Sequence, residues 1–273
     1  MSHFTVAVFT ESEYQSVDDL LEPFSEHLEV EPYVSITRDD LIQRARANMQ
    51  AIFEAQYQEW KEDPTAYEKG KNVQHMEYLK ALPTLMERTD EEIYRDEVDT
   101  YNEERIDENG DIISTYNPDS KWDWYVIGGR WKGMLVLKPG KLGQRGRPGL
   151  LTKMTDNCDS AYVADVDFHR MRQQILQELR PYEQAMTKGN YKEEYMRERY
   201  PTEREYMQRN SSFYTFAVLT PDGTWHAPGE MGWFGMSSAA TETEREWEDT
   251  YYDRFIKPAI EKGWYMTIVD CHI

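Results

Sequence analysis

A chain of 273 residues is long enough to bury a sizeable core within one large domain. Its 51 acidic against 31 basic residues give a net charge of −20, which repels phosphate backbones and argues against direct nucleic-acid binding through a broad basic surface, while leaving room for a small anionic ligand in a local pocket. No apolar run approaches the roughly 20 residues needed to span a bilayer, and Met1-Ser2-His3-Phe4 lacks the layout of a signal peptide, so the expectation is a cytoplasmic protein without a membrane segment.

In chain order, His3 to Thr10 reads as a first strand, rich in Phe, Thr and Val. Thr37 followed by Asp40 imitates a capping box, and Leu41, Ala45, Met49, Ile52, Phe53, Tyr57 and Trp60 then recur at helical spacing. Thr89 with Glu92 starts another helix. Strands are predicted at 126–127 and 131–137, followed by a flexible loop over 138–149, where Pro139, Gly140, Gly143, Gly146, Pro148 and Gly149 cluster. Asp165 precedes the amphipathic stripe Phe168, Met171, Ile175, Leu179 and Tyr182, and a further helix runs over 188–209 with a break at Pro201. A strand at 213–220 stops at Pro221-Asp222-Gly223, Thr243 with Glu246 opens a helix carrying Trp247, Tyr251 and Phe255, and 265–271 is the last strand.

Strands at both ends and in the middle, separated by charged helices, predict an α+β fold with an antiparallel or mixed sheet, ferredoxin-like halves being one arrangement. The organisation expected is a single domain over 1–273 with a helical insertion at about 37–107 and a second helical region at about 165–209. Phe4-Thr5-Val6-Ala7-Val8-Phe9-Thr10 echoes Tyr214-Thr215-Phe216-Ala217-Val218-Leu219-Thr220, by duplication or by shared strand composition.

The densest chemistry lies in KWDWYVIGGRW at 121–131. Gly128 and Gly129 permit backbone shapes closed to other residues, and the segment reads as a bent strand displaying Arg130, whose planar fork suits phosphate or carboxylate. An ion pair between Asp123 and Arg130 that fixes the bend is the structural alternative. Strand alternation puts Trp122, Trp124 and Val126 on one face, with Asp123, Tyr125 and Ile127 opposite. Trp124, Trp131 and Trp233 are candidate stacking platforms, or else core. There is no G-x-G-x-x-G or G-x-x-x-x-G-K-[ST] fingerprint.

His226 and Glu230 share a Gly and Pro loop and are acid–base candidates; a loop tied by Glu230 hydrogen bonds is the plainer reading. Asp270-Cys271-His272 with His3 supplies ingredients for a metal or thiol site if the end strands are neighbours, although Cys271 and His272 point to opposite faces of a strand. Cys271 also reads as buried structure, and with Cys158 the only other cysteine a reduced pair is expected rather than a disulfide scaffold. No metal motif and no cofactor fingerprint is present in the sequence, so no metal site is assigned and the cofactor is left open.

The blocks MSHFTVAVFT, VDDLLEPFSEHLEVEPYVSITRDDLI, KWDWYVIGGRW, GRPG at 146–149, DSAYVADVDF, GEMGWFG and TIVDCHI together resemble a family of hypothetical proteins of bacteriophages and bacterial mobile elements, over nearly the whole chain. The resemblance implies phage or prophage accessory biology in the cytoplasm of a bacterial host, and no particular chemistry. Two functions follow as expectations. One is an acidic accessory protein, of anti-defence type, that engages a basic host protein through the run Glu87 to Asp111. The other is a nucleotide-like ligand-binding protein or small enzyme built on the WDWYVIGGRW and GEMGW segments.

Overall fold

The computed structural model describes residues 2–102, 105–146, 153–188, 191–232 and 236–273. It divides into two compact units, Glu29–Tyr116 and the remainder, Met1–Leu28 with Asn117–Ile273.

The larger unit is organised by an eight-stranded sheet. Its strands are β1 (His3–Thr10), β2 (Trp124–Ile127), β3 (Gly143–Gln144), β4 (Lys153–Met154), β5 (Ser160–Tyr162), β6 (Ala217–Leu219), β7 (Trp225–His226) and β8 (Tyr265–His272). The order is β7-β6-β1-β8-β5-β3-β4, and β2 shares the second edge of β8 with β5. Both chain ends lie at the centre, because β1 and β8 pair antiparallel along their whole length, from His3 opposite His272 to Thr10 opposite Tyr265. Among the described strands only β1 and β6 pair in parallel, so the sheet is mixed and the fold α+β. Ferredoxin-like halves place another strand between their two parallel ones, whereas β1 and β6 are direct neighbours. These are also the strands that echo each other in sequence, and both are buried on two faces, an environment that selects small and β-branched residues in either strand.

Period-2 alternation gives the sheet two cores. Ala7, Phe9, Met266 and Ile268 face Trp247, Tyr251, Phe255 and Ile256; Phe4, Val6, Val8, Val269 and Cys271 face Val17, Leu21 and Trp122. The covering helix, Thr241–Tyr251, continues through a π-turn at Tyr252–Ile256 into Lys257–Lys262 and ends at Gly263 in the left-handed conformation. It is fixed to the sheet by Trp247 Nε1 donating to the Thr215 carbonyl at 2.9 Å.

Several expected boundaries shift. The helix expected to open at Thr243 begins at Thr241, with Glu242 and Glu244 in its first turn. Asp167 rather than Asp165 caps the Phe168–Glu178 helix, by accepting from Arg170 N–H. The 131–137 strand shrinks to Leu135–Val136, because Gly128, Gly129 and Gly133 all have positive φ and Gly129–Trp131 forms a 3-10 turn. Within the expected loop, Gly143–Gln144 is strand, since Gly143 lets β3 pass where a Cβ would meet Cys158; residues 147–149 lie outside those described. The break at Pro201 holds, between helices Glu193–Arg199 and Glu203–Ser211.

The Glu29–Tyr116 unit is a helical cluster closed by the Tyr33–Ile36 and Ile112–Ser114 strand pair. Ile42, Ala45, Met49, Met76, Leu79, Leu82 and Ile93 form its core. Thr37 caps the Arg38–Ile52 helix, and Thr89 with Glu92 makes a complete capping box. Some of its acidic residues are neutralised in exposed ion pairs: Glu91 with Arg38, Asp90 with Arg46 and Asp96 with Arg88.

Candidate functional site

On the face of the sheet that carries the Thr241–Tyr251 helix, the end beyond the helix's apolar cover is polar. Alternation brings His3 and Thr5 of β1, Asp270 and His272 of β8, and Trp124 and Val126 of β2 to this face. Burial of carboxylates and imidazoles in a sheet centre is tolerated only where they satisfy one another. They do so as two pairs: His3 Nδ1 lies 2.8 Å from Asp270 Oδ1, and His272 Nδ1 lies 2.7 and 2.8 Å from the two oxygens of Asp123. A carboxylate only accepts, so each imidazole donates from Nδ1 and each Nε2 is the ring nitrogen without a carboxylate partner.

The glycine pair explains how Asp270 is held. Its second oxygen accepts the Arg130 N–H at 2.9 Å. Gly129, with φ at +48°, lies against this carboxylate so closely that a Cβ would overlap it. Gly128, with φ at +74°, likewise lies where a Cβ would crowd the carboxylate of Asp159, which is buried and accepts from Gly133 and Gly146 N–H. The bend at 128–131 is therefore built around two buried carboxylates.

Three rings pack over the pairs. Trp124 stacks on His272 with centroids 4.8 Å apart, His3 meets His272 edge-on at 5.0 Å, and His3 meets Trp124 edge-on at 5.4 Å. His272 is enclosed, its Nε2 buried without a partner among the described residues. His3 opens instead onto a cleft of about 1070 Å³ whose walls include Trp131, Tyr200, Tyr214, Arg199 and Glu248. On that far wall Arg199 Nη2 bonds Glu248 at 2.9 Å. Burial raises the Glu248 carboxyl above the ordinary range, against the pull of Arg199, and burial with the nearby Glu248 charge also raises the Tyr214 hydroxyl.

Of the residues singled out in the sequence, Asp123, Trp124, Gly128, Gly129 and His272 are gathered here with His3, and Trp131 lines the cleft. The Asp123–Arg130 ion pair does not form. Asp123 is engaged by His272, and Arg130 contributes its backbone N–H, while its exposed guanidinium has no ion-pair partner among the described residues. Trp122 does not share a face with Trp124. The chain bends at Asp123, ahead of β2, and Trp122 turns into the opposite core, edge-on to Tyr125 at 5.0 Å. Glu230 does not tie its own loop with its carboxylate but pairs with Lys121 Nζ at 2.9 Å, joining the loop to the 121–131 segment. His226 stands apart, against Phe255 at 5.3 Å, and burial with the Arg254 charge depresses its pKa. Cys271 is fully buried in the other core, where burial raises its thiol well above the ordinary value. Trp233 lies outside the described residues.

Asp159 and Glu248 were not legible as site residues, although both are carboxylates within segments that the folded chain buries. Among the described residues no group of three or more His, Cys, Asp or Glu is arranged to hold a metal ion, and no helix is long and apolar enough to cross a membrane. No protein-family model, curated protein or solved structure matches the chain.

Proposed function

We propose that the larger unit is a small enzyme that transfers protons in the aromatic cleft, with His3 as general acid–base and Asp270 holding it in position. The observation that carries this reading is the hydrogen-bonded chain from the Arg130 N–H through Asp270 to His3 Nδ1, which leaves Nε2 directed away from its carboxylate partner on a residue that lines the cleft. A base oriented by a third group is the recurrent arrangement of proton-transfer sites. Trp131, Tyr200 and Tyr214 offer ring faces, and Glu244 and Glu248 balance the charge of Arg199, so the cleft suits a nucleoside- or sugar-like ring better than a highly charged one. His272 and Asp123 support His3 from behind.

Thermal-shift screening against nucleosides and mono- and disaccharides, followed by turnover assays on the hits, tests the reading. A ligand at 100 times its dissociation constant raises stability by about 2.7 kcal/mol. His3→Gln should keep ligand binding and lose turnover. A flat screen, or turnover indifferent to His3→Gln, sinks it.

A second reading draws on a different observation. The Glu29–Tyr116 unit holds 22 acidic against 10 basic residues, a net of −12 out of the chain's −20. A concentrated acidic surface of this kind supports engagement of a basic host protein, in keeping with the phage-like accessory role. Salt-sensitive capture of a basic partner from bacterial lysate by the Glu29–Tyr116 surface is its test, and binding that survives high salt or charge reversal removes it.

A further inference from the structure

A second cavity, of about 890 Å³, lies between the Phe168–Glu178 and Glu203–Ser211 helices and the start of the π-turn at Tyr252. In a chain of net charge −20 its lining is unusual, because three arginines, Arg172, Arg204 and Arg209, meet there. Arg209 is 8% exposed; its Nη2 bonds Asp249 at 3.1 Å, and its Nη1 is buried with no partner among the described residues. A buried guanidinium nitrogen left unpaired is costly, on the order of 1 to 3 kcal/mol, and marks a position where an acceptor is wanted. Arg172 spends only Nε, on Ser211 Oγ at 3.2 Å, and Arg204 is exposed with no ion-pair partner among the described residues.

Three carboxylates also line the cavity, Glu203, Glu248 and Asp249. Asp249 is matched by Arg209 and Glu248 by Arg199, so the unmatched charges are Arg172 and Arg204 against the single exposed Glu203. Beside the guanidinium groups stands an aromatic wall: Phe168 meets Phe213 edge-on at 5.2 Å and Tyr252 edge-on at 6.1 Å. Guanidinium forks recognise phosphate oxygens in pairs, and aromatic faces hold a flat ring.

We infer that this cavity binds an organic monophosphate bearing a flat ring, with the phosphate on Arg172, Arg204 and Arg209 and the ring against Phe168 and Tyr252. The site shares only Glu248 with the lining of the His3 cleft, and it does not depend on the function proposed for that cleft.

The test is calorimetric titration of the whole protein with adenosine 5′-monophosphate, inorganic phosphate and adenosine. The monophosphate should bind saturably and more tightly than inorganic phosphate. Arg172→Gln/Arg204→Gln, which alters only exposed side chains, should weaken it by roughly tenfold or more, in line with the loss of charge-assisted bonds. Arg209→Gln should do the same, and if that variant folds poorly the double variant still decides. His3→Gln should leave the affinity unchanged. The inference is overturned if neither the monophosphate nor phosphate binds, if the double variant binds the monophosphate like the parent chain, or if it weakens adenosine as much as the monophosphate.

Discussion

His3 and His272 face each other across the paired terminal strands, their ring centroids 5.0 Å apart, and each is held by its own carboxylate. The two pairs are therefore separable by single substitutions. Asp270 is 3% exposed and satisfies both His3 and the Arg130 N–H, whereas the Asp123 side chain is 23% exposed. Asp270→Asn presents an amide N–H₂ to one of two donors and should cost about 1.5 to 3 kcal/mol. Asp123→Asn should cost less, because water can replace part of what is lost. Urea unfolding measures both, and a neutral Asp270→Asn contradicts the assigned hydrogen bonds.

Gly129→Ala and Gly140→Ala separate backbone strain from close packing. Both glycines have positive φ, but around Gly140 a Cβ would meet nothing within 4 Å, while at Gly129 it would overlap the Asp270 carboxylate. Gly140→Ala should cost about 1 kcal/mol, the ordinary penalty of the left-handed region. Gly129→Ala should cost that plus the displacement of Asp270, more than about 2 kcal/mol in all. A histidine NMR signal shifted by Gly129→Ala and unmoved by Gly140→Ala would locate the effect at His3, and equal melting temperatures for the two variants would contradict it.

Alkaline conditions should unfold the larger unit steeply. Burial raises the Cys158 thiol to about 12 and also raises Cys271, Tyr251 and Tyr265. Between the unfolded and folded values of these groups the unfolded chain holds fewer protons, so stability is fully present below the ordinary thiol and phenol values and falls as pH rises past them. Each group contributes up to about 1.4 kcal/mol per pH unit in that window. Stability measured by urea between pH 8 and 11 should decline, and both cysteines should resist iodoacetamide at pH 8 until denaturant is added. Rapid labelling of the native protein would contradict the burial.

The two terminal strands, the caps at Thr37 and Thr89 and the opposite orientation of Cys271 and His272 were legible because they follow from local period and cap chemistry, whereas the pairing of the terminal strands is long-range and was not. The Asp270 role was not legible. It depends on Gly129 bringing the Arg130 N–H against a strand 140 residues away in sequence, and no local pattern encodes that approach. Trp122 was misplaced for a related reason. Strand alternation breaks at Asp123, where the chain bends before β2 begins and lets Asp123 reach His272. The cavity at Arg209 was hidden because its arginines come from two helices that look in sequence like solvated, mixed-charge faces.

The acidic surface of the Glu29–Tyr116 unit can be tested only at residues that do not hold the unit together. Glu91 and Asp96 are paired with Arg38 and Arg88, and Glu92 closes the capping box with Thr89, so reversing them would confound loss of binding with loss of fold. Glu59, Glu62, Glu77 and Glu87 are exposed and have no ion-pair partner among the described residues. Replacing these four by lysine should shift stability by no more than about 0.5 kcal/mol each, while removing most of the acidic excess. Thr89→Ala, by contrast, should cost about 1 kcal/mol without changing the charge. If charge carries recognition, the lysine variant loses a basic partner and Thr89→Ala keeps it. The opposite pattern would mean that the partner reads the shape of the helical unit, and the acidic-surface reading would fail.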